Sequence, residues 1–273
     1  MERVDLHAPG SEGVLRSIRF TPASPQPRLA FVRGGVFYAG MKVRCFQHVP
    51  FEGLGLIDPW LRARGHEIAF TRWWAGDAAP DVDAYDWLIV MGGPMNVYQH
   101  RDHPWLVAEK AALCSAFAEG KRVLGVCLGA QLIADVLGGK VVQNAEREIG
   151  WWPVRAVPLE ASAAGSRYAF PAFSTVLHWH GDTYSLPAGA TRLAASTACA
   201  QQAFAWGERV LGLQFHLEMD AGAVSEIAAG CADELKGGGP WVQNAEQLRA
   251  GAGEHGPAAE RLLHRLLAAM EAA

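Results

Sequence analysis

The sequence predicts an α/β fold of three layers, a mostly parallel central sheet with helices on both faces. Three observations carry this. From Met41 onward, short apolar runs alternate with helical patterns, the order expected of parallel strands joined by crossover helices. One run, Asp86-Trp87-Leu88-Ile89-Val90-Met91, is almost wholly apolar, as a strand covered on both faces must be. The helical stretches stop at Gly65, Gly120 and Gly138-Gly139, and glycine suits the left-handed turn that ends a helix.

Taken in order, Lys42 to Phe46 reads as the first strand and Leu54 to Arg64 as the first helix. His66 to Phe70 is a strand, and Asp86 to Met91 another. Trp105 to Glu119 is helical, Arg122 to Val126 a buried strand, and Leu128 to Leu137 a helix. The second half changes character. Strand-like stretches at Trp152–Val157, Val176–Trp179, Arg192–Ser196, Gln202–Trp206 and Val210–Phe215 are separated by turns such as Pro187-Ala188-Gly189, which predicts hairpins. After Asp220 the pattern is helical, with a break at Gly237-Gly238-Gly239-Pro240. No internal repeat is present.

Residues 1–40 differ from the rest. They hold five Arg, no Lys and three acids, so they carry +2 while the remaining residues carry −6 of the net −4. Thr21 to Pro27 is Pro-rich. The expectation is a flexible N-terminal extension or a mis-assigned start over 1–40, a catalytic domain over 41–220, and a C-terminal helical segment over 221–273 packed on the same domain.

The acidic balance argues against a nucleic-acid or membrane-surface binder. Val123 to Gly139 is the longest apolar-looking stretch, but it contains Gln131, Asp135 and several Gly, so no membrane span is expected. No basic start followed by an apolar stretch suggests a secretory leader. Five cysteines without a C-x-x-C pair argue against a disulfide framework and a Cys-based zinc site, and predict a reducing, cytoplasmic setting. His100-Arg101-Asp102-His103 has ligand-type residues but lies in a loop without further partners. No metal or cofactor is expected.

The most informative segment is Gly125-Val126-Cys127-Leu128-Gly129. A buried strand runs into Gly-x-Cys-x-Gly and then a helix, the arrangement of a nucleophile elbow with Cys in place of Ser. The turn is tight, and Gly125 and Gly129 leave room for it. Cys127 then stands at a helix N-terminus, whose partial positive charge favours a developing anion. The Leu128 N–H is free there to face an oxyanion. Taken alone, the motif equally describes a small buried Cys in a packing turn. A thiol nucleophile needs a base and an orienter. Gln214-Phe215-His216-Leu217-Glu218 supplies both, since extended residues two apart share a face. Gly92-Gly93-Pro94 follows a strand whose carboxyl end is a ligand-binding position, and the Gly93 N–H is a second candidate oxyanion donor.

Together, Gly92-Gly93-Pro94, Gly125 to Gln131 and Gln214 to Glu218 resemble, in that order, the class I (triad-type) glutamine amidotransferases. The similarity is greatest to the glutaminase domain of GMP synthase and its free-standing relatives, over roughly Met41 to Asp220. The resemblance implies a flavodoxin-like fold. It implies that Cys127 attacks the side-chain amide of L-glutamine, that His216 shuttles the proton, that Glu218 orients His216, and that Gly93 and Leu128 hold the oxyanion. Ammonia then leaves, and water resolves a γ-glutamyl thioester to glutamate. It also implies that Gln131, His180 and Asp182 line the substrate pocket. His178 to Asp182 resembles the family's substrate-side loop, and Glu148 to Trp151 the strand opening its second half. One departure is Leu217, where the family usually has Pro.

No phosphate loop is present, and the residues after Asp220 are too few for an ATP-dependent acceptor domain. The expected role is therefore a glutaminase whose ammonia passes to a separate acceptor synthetase subunit. The alternative is a γ-glutamyl peptidase or hydrolase using the same triad on γ-glutamyl conjugates. A second alternative is a non-enzymatic binding module on the same scaffold. Trp73-Trp74 and Trp151-Trp152 read as core rather than as an aromatic rim. Cys45, Cys114, Cys199 and Cys231 read as packing residues.

Overall fold

The computed structural model describes residues 29–32, 35–38, 40–158 and 167–273. The Pro-rich stretch and most of the expected extension lie outside the described residues. Strands β1 (Leu29–Val32) and β2 (Gly35–Tyr38) pair antiparallel as a separate ladder, in a region expected to form a flexible extension.

The body is one nine-stranded sheet. Its strands are β3 (Lys42–Gln47), β4 (Glu67–Arg72), β5 (Trp87–Val90), β6 (Arg122–Val126), β7 (Val141–Ala156), β8 (Phe173–Tyr184), β9 (Ala190–Ala195), β10 (Ala203–Trp206) and β11 (Val210–Leu213). Their order across the sheet is β4-β3-β5-β6-β11-β10-β9-β7-β8. The ladders from β4 to β11 are parallel, and those from β11 to β8 are antiparallel. The change falls where the sequence changes from crossover helices to short turns, because only an antiparallel pair can be joined by a turn. The strands β7 and β8 run much longer than their apolar stretches suggested. Their outer parts carry polar residues such as Gln143, Glu146 and Arg147, which gave no strand signal.

Helices α1 (Ile57–Ala63), α4 (Ala221–Gly230) and α6 (Ala245–Glu271) cover one face, and α2 (Trp105–Ala118) and α3 (Leu128–Val136) the other. Strand β5 shows why. Trp87 and Ile89 enter one core and Leu88 and Val90 the other, as alternation demands of a strand buried on both faces. The α6 leucines Leu262, Leu263, Leu266 and Leu267 join the first core, so this helix packs on the sheet. Asn244 caps its start, accepting from the Gln247 N–H while the Gln247 side chain returns to the Asn244 N–H. A short α5 (Ala232–Leu235) precedes the glycine-rich break.

Candidate active site

The site begins with two neighbouring strands. β6 and β11 lie side by side in parallel, Val126 opposite Leu213. Cys127 follows β6, and its N–H donates to the Leu213 carbonyl at 2.8 Å. His216 follows β11 by three residues, and its N–H donates to Leu177 of β8 at 2.8 Å. The sheet ladder thus sets Cys127 near His216.

Cys127 has φ 52° and ψ −110°, and it has the only positive φ of a non-glycine residue among the described residues. Such a backbone costs about 1–3 kcal/mol and persists only where the surroundings enforce it. Here the surroundings are glycines. A β-carbon on Gly125 would stand 2.5 Å from the Gly129 carbonyl carbon, and one on Gly129 would meet the Val90 carbonyl oxygen. Leu128 opens α3, so its N–H lies outside the helical ladder.

His216 and Glu218 are buried, with Nδ1 and Oε1 2.6 Å apart. Glu218 Oε2 accepts the Leu217 N–H at 3.0 Å. A proline at 217 would lack that donor, so the departure from the family pattern provides a second restraint on the carboxylate. Burial alone would lower the His216 imidazole. Glu218 and Cys127 outweigh it and hold the ring well above its ordinary range. His216 Nε2 is buried without a hydrogen-bond partner among the described residues, which leaves it available to a substrate or to the thiol.

A cavity of about 440 Å³ opens beside the thiol, lined by Gly93, Cys127, Gln131, His180 and Asp182. Gln131 Nε2 donates to Gln214 Oε1 at 3.2 Å. Tyr98 closes one side through its hydroxyl, 3.3 Å from Asp182 Oδ2. Asn144 and Arg147, from the outer part of β7, line the far wall. A second cavity of about 20 Å³ touches Cys127 and His216, and there Glu52 and Cys231 join them. That is room for a single water. Trp73, Trp74, Trp151 and Trp152 line neither cavity, whereas Trp179 lines both.

Among the described residues, Glu148, His178 and His180 are the group whose donor atoms lie close enough to hold a metal ion. Their existing bonds describe a hydrogen-bond network instead. Glu148 accepts from Ser196 Oγ and Gln202 Nε2, each at 2.7 Å, and faces His180 Nε2 at 3.2 Å. The network braces His180 at the cavity wall.

Sequence reasoning missed His48, Glu52 and Glu109. His48 Nδ1 lies 2.8 Å from the Gly92 carbonyl oxygen and Nε2 2.9 Å from Glu109 Oε1, with both side chains fully buried. Burial drives the Glu52 carboxyl upward, against the pull of His216 and His48. These residues stand alone in sequence, and only the fold brings them beside Gly92.

Residues 56–227 match the family model for class-I glutamine amidotransferases. The chain is 34% identical over 220 residues to the glutamine amidotransferase-like protein YfeJ of Salmonella typhimurium, covering 77% of this chain and 90% of that protein. It is 32% identical over 182 residues to a glutamine-hydrolysing GMP synthase of Azoarcus, covering 61% of this chain and 33% of the synthase. It is 29% identical over 155 residues to gamma-glutamyl peptidase 3 of Arabidopsis thaliana, covering 54% of this chain and 60% of the peptidase. Among solved structures, a glutamine amidotransferase from Thermotoga maritima superposes with a TM-score of 0.77 at 28% identity, covering 85% of this chain and 99% of that one. The chain belongs to the class I glutamine amidotransferase family.

Proposed function

We propose that this protein is a glutaminase acting through a Cys127–His216–Glu218 triad, with residues 41–220 as its catalytic body. The observation that carries the proposal is the strained Cys127 backbone at the head of α3, one strand away from the buried His216–Glu218 pair. In this reading His216 Nε2 takes the thiol proton and Cys127 Sγ adds to the side-chain amide carbon of glutamine. The Gly93 and Leu128 N–H groups stabilise the oxyanion. His216 returns the proton to the leaving nitrogen, and ammonia departs. Water then adds to the γ-glutamyl thioester, its proton passing to His216, and glutamate leaves with the thiol restored. Gln131, His180 and Asp182 hold the rest of the substrate, and the ammonia passes to a separate acceptor synthetase in a reducing, cytoplasmic setting. The test is glutamate and ammonia release from glutamine by purified wild type and by Cys127→Ala. Equal rates would defeat the proposal.

A second reading is favoured by the cavity. Its 440 Å³ lies in the range of roughly 300–1,000 Å³ that accommodates drug-sized ligands, more than one amino acid fills. Arg147 on the far wall suits a carboxylate. The same triad would then cleave a γ-glutamyl peptide or conjugate, releasing an amine larger than ammonia. A panel of glutamine, γ-glutamyl dipeptides and glutathione conjugates separates the two readings by which substrate gives the highest kcat/KM.

A further inference from the structure

We propose that His48, held by Glu109, is a positioning residue that orients the Gly92–Gly93 peptide, and that turnover consequently falls at alkaline pH when this pair loses its proton. The proposal rests on the reading above that the Gly93 N–H is an oxyanion donor.

The geometry dictates the protonation. A backbone carbonyl can only accept, so His48 Nδ1 must carry hydrogen toward Gly92 O at 2.8 Å. On the other side, Nε2 faces the Glu109 carboxylate at 2.9 Å. Both contacts are satisfied together only if the His48–Glu109 pair holds one proton more than a neutral imidazole beside an ionised carboxylate. Both side chains are fully buried, and Trp105 stacks on the ring at 5.4 Å. Burial alone would lower the imidazole, but Glu109 outweighs it and holds His48 above its ordinary range, with Glu52 adding in the same direction. Lys110 beside Glu109 points elsewhere, to Asp135 and the Val97 carbonyl.

The peptide geometry carries the effect to the site. A trans peptide places its C=O and N–H on opposite sides. With the Gly92 carbonyl turned to His48, the Gly93 N–H is directed away from it. It donates to no group among the described residues. Gly92 itself faces the reacting groups. A β-carbon there would stand 3.5 Å from Cys127 Cβ and 3.3 Å from His216 Cε1. Glycine on both sides gives this peptide more freedom to rotate than side-chain-bearing residues would, and the His48 bond restrains it. When the pair loses its proton, the charge-assisted bond to Glu109 keeps the remaining hydrogen on Nε2. The Nδ1 lone pair then opposes the Gly92 oxygen, and the peptide is released.

The test combines nitrogen-15 NMR of the full-length protein with pH–rate profiles. In wild type, both His48 ring nitrogens are expected to be protonated at neutral pH. The Gly93 amide resonance and kcat for glutamine should change together as that proton is lost. In Glu109→Gln, the side-chain amide can donate to Nε2 of a neutral ring, so Nδ1–H stays on Gly92. The part of the alkaline loss of kcat that follows the Gly93 resonance should then vanish, leaving the loss that His216 itself sets. His48→Phe should lower kcat by about 10²–10³-fold with KM little changed, the cost of one lost oxyanion donor. A singly protonated His48 at neutral pH, or a Gly93 resonance that ignores its titration, overturns the proposal. So does a Glu109→Gln rate profile identical to wild type. Failure of wild type to turn over any γ-glutamyl substrate would defeat the proposed function instead, and the NMR titration would still decide whether the pair holds the peptide.

Discussion

His216 and Glu218 meet at 2.6 Å in a fully buried contact, and the carboxylate is held on its other side by the Leu217 N–H. The orientation of the imidazole is thus fixed before any substrate arrives. A side chain with one task of orientation contributes less than the groups that form and break bonds.

That ordering gives the first prediction. His216→Asn should reduce glutamate release about as far as Cys127→Ala, by roughly 10⁶-fold, and Glu218→Ala by about 10⁴-fold, following the hierarchy measured in serine triads. Steady-state kinetics of the three variants checks the ranking. A Glu218→Ala enzyme slower than His216→Asn would contradict it.

Leu217→Pro restores the family's usual residue but removes the N–H that reaches Glu218 Oε2. A hydrogen bond to a charged group is worth about 1.5–3 kcal/mol, so kcat should fall about tenfold or more. Turnover at the wild-type rate would show that the restraint is dispensable.

Backbone strain at Cys127 predicts a stability difference between two inactive variants. Alanine retains the penalty of a positive φ, whereas glycine removes it, a gain of about 1 kcal/mol or slightly more. Cys127→Gly should therefore unfold at a higher urea midpoint than Cys127→Ala. The reverse order would mean that the elbow is not strained.

At Gly129 a β-carbon would run into the Val90 carbonyl, while at Gly53 its nearest neighbour is the end of the Gln47 side chain, 3.9 Å away. Gly129→Ala should cost about 1–3 kcal/mol or prevent folding, and Gly53→Ala should be nearly neutral. Thermal unfolding of the pair distinguishes them.

His178 is fully buried, and burial lowers its imidazole to about 4, with Glu148 opposing. The unfolded chain takes up this proton near the ordinary histidine value, but the folded chain resists it. Stability should therefore be complete above pH 6.5 and decline as pH falls toward 4, by up to about 3 kcal/mol from this group. Urea unfolding across that range should show a shallower acid slope in His178→Gln than in wild type. An unchanged slope would remove His178 as a source.

Legibility in the sequence followed the range of the interactions. The strand–turn–helix at Cys127 was readable because strand, glycines and helix are contiguous and each constrains the next. The His216–Glu218 contact was expected from a strand running through them, whereas β11 ends at Leu213 and the pair lies in the bent segment that follows, still two residues apart in sequence and in contact. The α/β alternation and the glycine stops placed most of the parallel half. His48 and Glu109 were not readable, since their relation to Gly92 spans the sheet and leaves no local pattern. The outer parts of β7 and β8 escaped because their strand character comes from pairing with each other, as Val142 with Thr183 and Gln143 with Asp182, and not from apolar alternation. The β1–β2 pair escaped although two short apolar runs about Gly34-Gly35 carry a hairpin pattern, because the composition of residues 1–40 reads as one extension.

The adjacency of β6 and β11 has a consequence for control. Cys127 and His216, the proposed nucleophile and base, follow neighbouring strands of one hydrogen-bonded ladder in the middle of a nine-stranded sheet, so no domain closure is needed to bring them together. A thiol-directed electrophile should find the same pairing in the resting protein as a substrate does. A signal that throttles such a site without moving the sheet has to act on what surrounds the pair, the Gly92–Gly93 peptide on one hand and the cavity wall of Tyr98 and Asp182 on the other.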